Sequence, residues 1–323
     1  MFGKIMNQFY YGKSGKGDYR KEDLPQNRWE LFWEMLKIRL SGLCRLNLMD
    51  AISWLPALLV ALSAVLNGYS ALAGFMELQT AGDPAVAGIS LPDVLRGLTL
   101  QTLLLLVPCI AITGPFTAGV AYVTRNWSRD EHAFVWSDFR DAIKENWKQS
   151  LGISAITGIM PLVFYVCWVF YGEMTKESPL FLVPQILSLT IVAVWMCALT
   201  YFYPLMVTYK LRFRDLLRNG LLLTVGRLPV SVGLKLLSLV PALIASLVAI
   251  FTPYVQWAVL GFGLYYLIIG FSLSRFVGAS YANAVFDKYI NPRIEGAVVN
   301  RGLYKEEDDE DEKPGPEETI IQP

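Results

Sequence analysis

The sequence predicts an all-α membrane protein with about six transmembrane helices in three hairpins. Composition is the first observation: 54% of the 323 residues are hydrophobic and 17% are charged, whereas soluble domains carry roughly 25% charged residues. The second observation is that charges are absent from five runs long enough to cross the hydrocarbon core of a bilayer, which takes roughly 20 apolar residues. These uncharged runs are 51–76, 97–124, 149–172, 178–209 and 236–274.

The last uncharged run predicts two membrane crossings. It contains 39 residues, so a single helix through it would be about 58 Å long, roughly twice the hydrocarbon thickness. Thr252-Pro253-Tyr254 lies near its middle, and proline interrupts a helix because it lacks the backbone N–H and restricts the residue before it. We therefore expect six spans, at about residues 51–76, 98–121, 151–171, 180–205, 232–251 and 255–275.

The positions of the basic residues predict the orientation. Of 28 Lys and Arg residues, all but Arg96 and Lys176 lie before residue 48, between 125 and 148, between 210 and 235, or from residue 275 onward. Because Lys and Arg collect in cytoplasmic loops, we expect a multi-pass protein of the cell membrane with both termini in the cytoplasm. The same residues would face anionic lipids, so membrane lipids are expected partners.

Amphipathic helices are predicted on the cytoplasmic side of the spans. Residues 28–47, 135–148 and 213–221 each place apolar side chains on one helical stripe, which is typical of helices lying in the headgroup region. The first stripe consists of Trp29, Phe32, Trp33, Leu36, Leu40 and Leu43. Residues 139–144 also align with residues 213–218, 74 positions later. This similarity reflects either duplication of a helix-plus-hairpin unit or shared amphipathic requirements.

The ends of the chain are predicted to lie outside the membrane domain, which we place at residues 28–292. Residues 1–27 lack a sustained apolar period and predict a mobile leader, and residues 293–323 contain an acidic block that predicts a disordered cytoplasmic tail. The cysteines lie in or beside spans without CxxC spacing, so neither disulfides nor a zinc site is indicated. They are Cys44, Cys109, Cys167 and Cys197.

Catalytic chemistry is not indicated by any motif. The single histidine, His132, follows Glu131 and could act with it as an acid–base pair, although an exposed loop histidine is the simpler interpretation. The middles of the spans contain no ionisable residue, which disfavours ion-coupled transport. Lys235 and Arg275 lie near span ends, where long side chains reach the headgroups. We expect no enzyme activity, no cofactor, no metal site and no nucleic-acid binding.

Prolines and polar residues inside the spans are the remaining candidates for a functional pathway, with close helix packing as the competing explanation. Gly114-Pro115 is the most specific of them. Proline removes a backbone donor and frees the carbonyl of residue 111, so we expect span two to bend there, towards the amphipathic helix that contains Phe139. The candidate functional residues are Gly114, Pro115, Thr117, Arg125, Phe139, Lys144 and Asn146.

Residues 114–125 (GPFTAGVAYVTR) and 139–150 (FRDAIKENWKQS) together resemble the YesL-like family of bacterial membrane proteins. That family has a Gly-Pro-x-Thr-Ala turn that closes an early span and an amphipathic loop after it. Residues 213–229 and 286–290 fit further parts of the family, and the resemblance covers roughly residues 40–292. The leader, the longer 77–96 loop and the acidic tail depart from it.

The resemblance implies a non-enzymatic accessory or regulatory membrane protein linked to carbohydrate uptake or utilisation, with a sugar-uptake permease as its partner. It supplies no catalytic residues. The alternative is a transporter or channel for a small neutral solute. A lipid-modifying enzyme that depends on His132 is a third alternative.

Overall fold

Most of the residues that the structure describes are helical. A computed structural model describes residues 24–84 and 88–304, so most of the predicted leader and the acidic block lie outside the described residues. Within these ranges there are eight α-helices and no strand. The helices are α1 (Arg28–Thr80), α2 (Leu91–Trp127), α3 (Val135–Met174), α4 (Leu182–Thr208), α5 (Phe213–Gly226), α6 (Leu228–Phe251), α7 (Val255–Tyr265) and α8 (Phe271–Tyr289). A π-helical segment, Tyr266–Gly270, joins α7 to α8, and 3₁₀ turns occupy Pro179–Phe181 and Asn291–Arg293.

Six helical stretches are long and apolar enough to cross a membrane. They are α1, α2, α3, α4 with its preceding turn, α6, and the run from α7 through α8 to Arg293. The prediction of an all-α chain with six such helices is therefore confirmed. Helices α6 and α7 separate at Thr252-Pro253-Tyr254, the position at which the sequence predicts the break.

Two predicted helix boundaries are absent. Helix α1 runs for 53 residues and α3 for 40 residues, so the segments 28–47 and 135–148 are continuous with the spans after them. At about 1.5 Å per residue these helices are about 80 and 60 Å long, more than a bilayer of roughly 45 Å. The change from an amphipathic to an apolar pattern changes which faces are buried. It does not end a helix, because no proline lies at either junction.

The buried face at the start of α1 differs from the predicted stripe. Leu31 and Met35, which lie outside the predicted stripe, are buried, whereas Trp29 and Trp33 of the stripe are 67% and 44% exposed. Leu43 is the member of the predicted stripe that is buried. Helices α2 and α8 pack against α1, and they cover the face of Leu31. The sequence alone offers two apolar stripes on this helix, and the tertiary contacts select between them.

The two ends of the helical bundle differ in packing. The backbone N–H of Tyr304 donates to the carbonyl of Pro25 at 3.1 Å, so the described ends of the chain meet at what we call the basal end. The distal end carries the α1–α2, α3–α4 and α6–α7 connections. Large buried side chains concentrate towards the basal end. They include Trp127, Tyr201, Phe202, Phe276 and Phe286. The buried residue of α6, Ser231, also lies near this end, four residues into the helix.

Residues 293–304, predicted as the start of the disordered tail, are folded against the basal end. Leu303 packs against the apolar cluster formed by α1 and α2, and Arg301 Nη1 lies 3.2 Å from Glu131 Oε1. Gly302 has a φ of 83°, a left-handed conformation that favours glycine and turns the chain. These residues precede the acidic block, so the composition that predicts disorder belongs to the block alone.

Candidate functional site

The candidate kink lies where α2 and α3 cross in direct backbone contact. A Cβ atom on Gly114 would lie 2.1 Å from Ser154 Oγ and 2.3 Å from the carbonyl oxygen of Ser150. A Cβ atom on Gly158, one turn further along α3, would lie 2.8 Å from the carbonyl oxygen of Val107. Small residues spaced four apart on α3 therefore let the two backbones approach, as small-xxx-small sequences do in membrane helix pairs.

Ser154 also satisfies the carbonyl group that Pro115 leaves free. Proline has no N–H to donate to the carbonyl four residues earlier, which is that of Ala111. Ser154 Oγ lies 2.6 Å from the Ala111 oxygen, closer than to the carbonyl oxygens of Ser150 at 2.9 Å and Leu151 at 3.1 Å in its own helix. A hydroxyl group has one proton, and the shortest distance assigns it to Ala111. The predicted bend at Pro115 stays a prediction.

The other candidate residues on these helices divide into two groups. Phe139 is buried, and its ring would lie 2.6 Å from a Cβ atom on Gly119. Thr117 is buried on the same helix as Gly119. Lys144 is exposed, and the amide of Asn146 donates within α3 to the carbonyl one turn earlier, at 3.0 Å. The structure therefore brings Gly114 and Phe139 into the α2–α3 contact, with Pro115 next to Gly114 in the chain, and leaves Lys144 and Asn146 outside it.

Arg125, the remaining candidate, belongs to an ion-pair network at the basal end. Glu131 Oε1 lies 3.2 Å from Arg301 Nη1 and 3.3 Å from Arg129 Nε, and its Oε2 lies 3.7 Å from Arg125 Nη1. Three guanidinium groups thus surround one carboxylate in the α2–α3 connection and tie it to the C-terminal segment. His132 is exposed, and its neighbour Glu131 faces the arginines.

A second polar group joins the start of α1 to the end of α8. The guanidinium of Arg28 pairs with the carboxylate of Asp287, whose other oxygen accepts from the amide of Asn291. The hydroxyl of Tyr209 donates to Asn291 Oδ1 at 2.6 Å. Burial, together with the negative charge of Asp287, raises the pKa of Tyr209 to about 12, so this phenol is a neutral donor near pH 7. The Glu131 network and the Arg28–Asp287 cluster therefore each hold segments at the basal end together.

A buried polar contact in the interior was not predicted from the sequence. Asn47 is fully buried, and its Nδ2 donates to the carbonyl oxygens of Tyr266 and Leu267, both at 2.8 Å. Its Oδ1 accepts from the backbone N–H of Ser272 at 3.0 Å. These groups belong to the π-helical segment and its continuation, where the regular α-helical bonds are interrupted. The amide of Asn47 between two leucines, Leu46 and Leu48, is the signal that could have revealed this contact.

One turn beyond Asn47, Asp50 is a second buried group that the sequence did not reveal. It is fully buried, and its carboxylate faces the indole N–H of Trp54, one turn further along α1, outside strict hydrogen-bond geometry. It interacts electrostatically with Arg275 of α8, whose guanidinium carbon lies 5.4 Å from the centroid of the Tyr203 ring. The sequence predicts Asp50 at the edge of span one and Arg275 at the headgroups. The spacing of Asn47, Asp50 and Trp54 marks the face that carries this site.

These features define an all-helical protein with six helices able to span a membrane, in which small residues close the contact between α2 and α3. A family model described as "Protein of unknown function, DUF624" matches residues 94–168, less than a quarter of the chain. All seven candidate residues lie within the matched segment, which takes in most of α2 and α3. Among curated proteins and solved structures, nothing matches the chain.

Proposed function

We propose that the protein lies in the cell membrane with its basal end in the cytoplasm. The distribution of basic residues supports this orientation, because 26 of the 28 Lys and Arg residues lie outside the segments that connect the spans at the distal end. Arg96 and Lys176 are the two that lie near the distal end. In this arrangement both termini are cytoplasmic, and the six spans form three hairpins.

Membrane lipids are the first proposed partner, in contact with side chains at the basal ends of the spans. Trp147 lies two residues before the uncharged run of α3 and is 49% exposed. Leu222 and Val225 of the amphipathic helix α5 are 60% and 63% exposed. Tryptophan and amphipathic helices favour the interface between headgroups and hydrocarbon. We therefore assign these residues to the inner headgroup layer.

For the function, we propose a non-enzymatic accessory or regulatory protein that acts on a sugar-uptake permease. The observation that carries this proposal is the α2–α3 contact. Gly114 and Ser154 pack α2 against α3, so the α2–α3 contact forms a stiff joint between a span and the basal part of α3. Such a joint suits the transmission of a partner's movement. The link to carbohydrate uptake rests on the resemblance of residues 114–125 and 139–150 to the YesL-like family.

The proposed contact surface for the permease is the start of α3. Phe134 and Trp136 are each 67% exposed, and Trp136 lies about 20 Å along the helix from the uncharged run, well beyond a headgroup layer roughly 7 Å thick. Exposed aromatic side chains are frequent binding hot spots in protein interfaces. Because lipid does not reach this level, a protein partner is the occupant that fits.

Purification from native membranes and reconstitution test the proposal. A sugar-uptake permease should co-purify with the wild type, its yield should fall in Trp136→Ala, and it should be retained in Trp257→Ala. Trp257 is a matched control because it is 64% exposed but lies next to the distal turn. Liposomes that contain the purified protein alone should not take up labelled sugar.

A transporter or channel for a small neutral solute is the second candidate, favoured by the buried polar side chains of Asn47 and Asp50 inside the bundle. Uptake of a labelled solute by liposomes that contain only this protein would support the transporter and overturn the accessory role. Co-purification of a permease without such uptake supports the accessory role.

A further inference from the structure

The α6–α7 hairpin is packed loosely against the rest of the bundle. Among the described residues, Ser231 is the buried residue of α6 and α7 has none, whereas eight residues of α8 are buried. Helix α7 packs mainly on α6, and α6 reaches the rest of the bundle through α4 and α5. Lipid chains are as apolar as leucine, so this hairpin can exchange its few protein contacts for lipid contacts at little cost.

Two attachments join the hairpin to the bundle, and both lie far from its distal turn. At the first, the hydroxyl groups of Ser231 in α6 and Tyr201 in α4 lie 3.0 Å apart. The second is the π-helical segment Tyr266–Gly270, through which α7 continues into α8. Ser231 lies 21 residues before Thr252 of the distal turn, and the π-helical segment begins 14 residues after it. At about 1.5 Å per residue, the hairpin therefore extends roughly 20–30 Å beyond both attachments.

The packing of the last span changes abruptly at the π-helical segment. On its α8 side, Ser272 Oγ donates to a backbone carbonyl of α1 at 2.8 Å. The ring of Phe271 stacks on that of Trp54, with 5.5 Å between the centroids. On its α7 side, Trp257 and Leu264 are exposed. Few buried contacts are the mark of a segment that moves easily, so the chain passes from a fixed helix to a loosely held one within the five residues of the π-helical segment.

Asn47 of α1 supplies hydrogen bonds to the π-helical segment from outside the helix. Its Nδ2 donates to the carbonyl oxygens of Tyr266 and Leu267, and its Oδ1 accepts from the backbone N–H of Ser272. In an unbroken α-helix these carbonyls would accept from residues 270 and 271, and this N–H would donate to residue 268. A side chain inserted into the ladder of helical bonds is a recognised cause of a bend. The junction of α7 and α8 therefore depends partly on a side chain of another helix.

We propose that the α6–α7 hairpin is a movable arm, hinged at the π-helical segment and at the Ser231–Tyr201 contact, and that Asn47 sets its resting position. Movement about this hinge changes the separation between the α6–α7 connection and the other distal connections. Helix α8 stays in place, because it packs on α1, α2 and α4. The arm supplies a moving part to either of the two functions considered above and depends on neither.

Distances between pairs of spin labels test whether the arm moves. The full-length protein, without its native cysteines and reconstituted in lipid nanodiscs, carries Tyr254→Cys on the arm and Leu180→Cys on the bundle. The matched control pair joins Leu180→Cys to Tyr69→Cys in the distal half of α1. All three side chains are exposed, so labels there disturb little packing. The distribution of distances should be wider for the arm pair than for the control pair, because only the arm pair spans the hinge.

The role of Asn47 has its own readout. Asn47→Leu removes the hydrogen bonds that hold the π turn, so the segment should return to α-helical bonding and turn α7 about its axis. A Cα atom at a helix radius of about 2.3 Å then moves by about 4 Å, and the mean Tyr254–Leu180 distance should change by a similar amount. Deleting Ile268 as well removes the extra residue of the π turn and should restore the original mean distance. Asn67→Leu, at an exposed position of the same helix, is the matched control.

The comparison of widths uses an unaltered hinge, so it decides the proposal even if Asn47→Leu does not fold. Equal widths for the arm pair and the control pair would show that the hairpin is fixed and would overturn the proposal. An unchanged arm distance in folded Asn47→Leu, or a deletion of Ile268 that does not restore the distance, would remove Asn47 from the hinge. A change in the control pair as large as that in the arm pair would indicate a general disturbance of the bundle and would equally refute a local hinge.

Discussion

Replacing Gly114 by alanine tests whether the backbones of α2 and α3 must touch. The new Cβ atom would lie 2.1 Å from Ser154 Oγ and 2.3 Å from the Ser150 carbonyl oxygen, where ordinary contacts begin at 3.4 Å. The serine side chain can rotate away, but the carbonyl oxygen belongs to the backbone of α3. The helices must therefore separate by about 1 Å, which also lengthens the hydrogen bond from Ser154 to Ala111.

The expected loss of stability combines three effects. Overpacking in a close contact destabilises by about 1–3 kcal/mol, and weakening an interhelical hydrogen bond adds about 0.6 kcal/mol in a membrane protein. Alanine improves helix propensity by up to about 1 kcal/mol. The net loss is about 2 kcal/mol. At roughly 2–4 °C per kcal/mol, the scale for chains of 150–250 residues, the thermal midpoint in detergent should fall by about 5 °C.

Gly68→Ala is the matched control for this experiment. Gly68 lies in the apolar part of α1, and a Cβ atom there would have nothing within 4 Å, so its midpoint should stay constant or rise slightly. Both variants are compared by thermal unfolding monitored with a thiol-reactive dye. If Gly114→Ala unfolds at the same temperature as Gly68→Ala, the two backbones are not in the contact that the structure shows.

Three other features give expectations that can be measured separately. Pro115→Leu should weaken permease co-purification or solute uptake more than Pro253→Leu, because Pro115 lies in the α2–α3 contact and Pro253 in a distal turn. In a background without native cysteines, Thr175→Cys should react with an impermeant thiol reagent from outside, and Asp130→Cys only after permeabilisation. Truncation after Tyr304 should leave expression and thermal stability unchanged, because the removed acidic block contains no apolar period.

Each of these expectations has a result that contradicts it. Equal effects of the two proline substitutions, at matched expression, would remove the reason to place function at the kink. Labelling of Asp130→Cys in sealed cells would reverse the proposed orientation. A marked loss of thermal stability on truncation would show that the acidic block contributes to packing at the basal end.

The spans could be predicted from the sequence because they depend on a local property. An uncharged run of sufficient length forms a helix in hydrocarbon, where backbone groups must bond within the segment. The break at Pro253 is equally local, since it results from a missing backbone donor. The free carbonyl of residue 111 was predictable for the same reason. Its partner was not, because Ser154 lies on another helix 43 residues away.

The interior site could not be predicted because it depends on contacts distant in sequence. Asn47 binds a π-helical segment that begins 219 residues later, and no sequence pattern in α1 predicts that partner. Asp50 immediately precedes an uncharged run, so the positions of the charges place it at the edge of span one. Those positions do not show which face of the helix is buried. The same reason explains why the predicted apolar stripe contains Trp29, although α2 and α8 cover the face of Leu31.

The π-helical segment Tyr266–Gly270 has a consequence for the geometry of the last span. A π turn holds one residue more than an α turn, so it rotates all later residues by about 100° relative to an unbroken α-helix. Arg275 and Phe271 therefore point in directions that counting from α7 would not give. A chain shortened by one residue in this segment would replace the π turn by a regular α-helical turn and keep the same side of α8 towards Asp50 and Tyr203, whereas a residue deleted elsewhere in the span would turn a different side towards them.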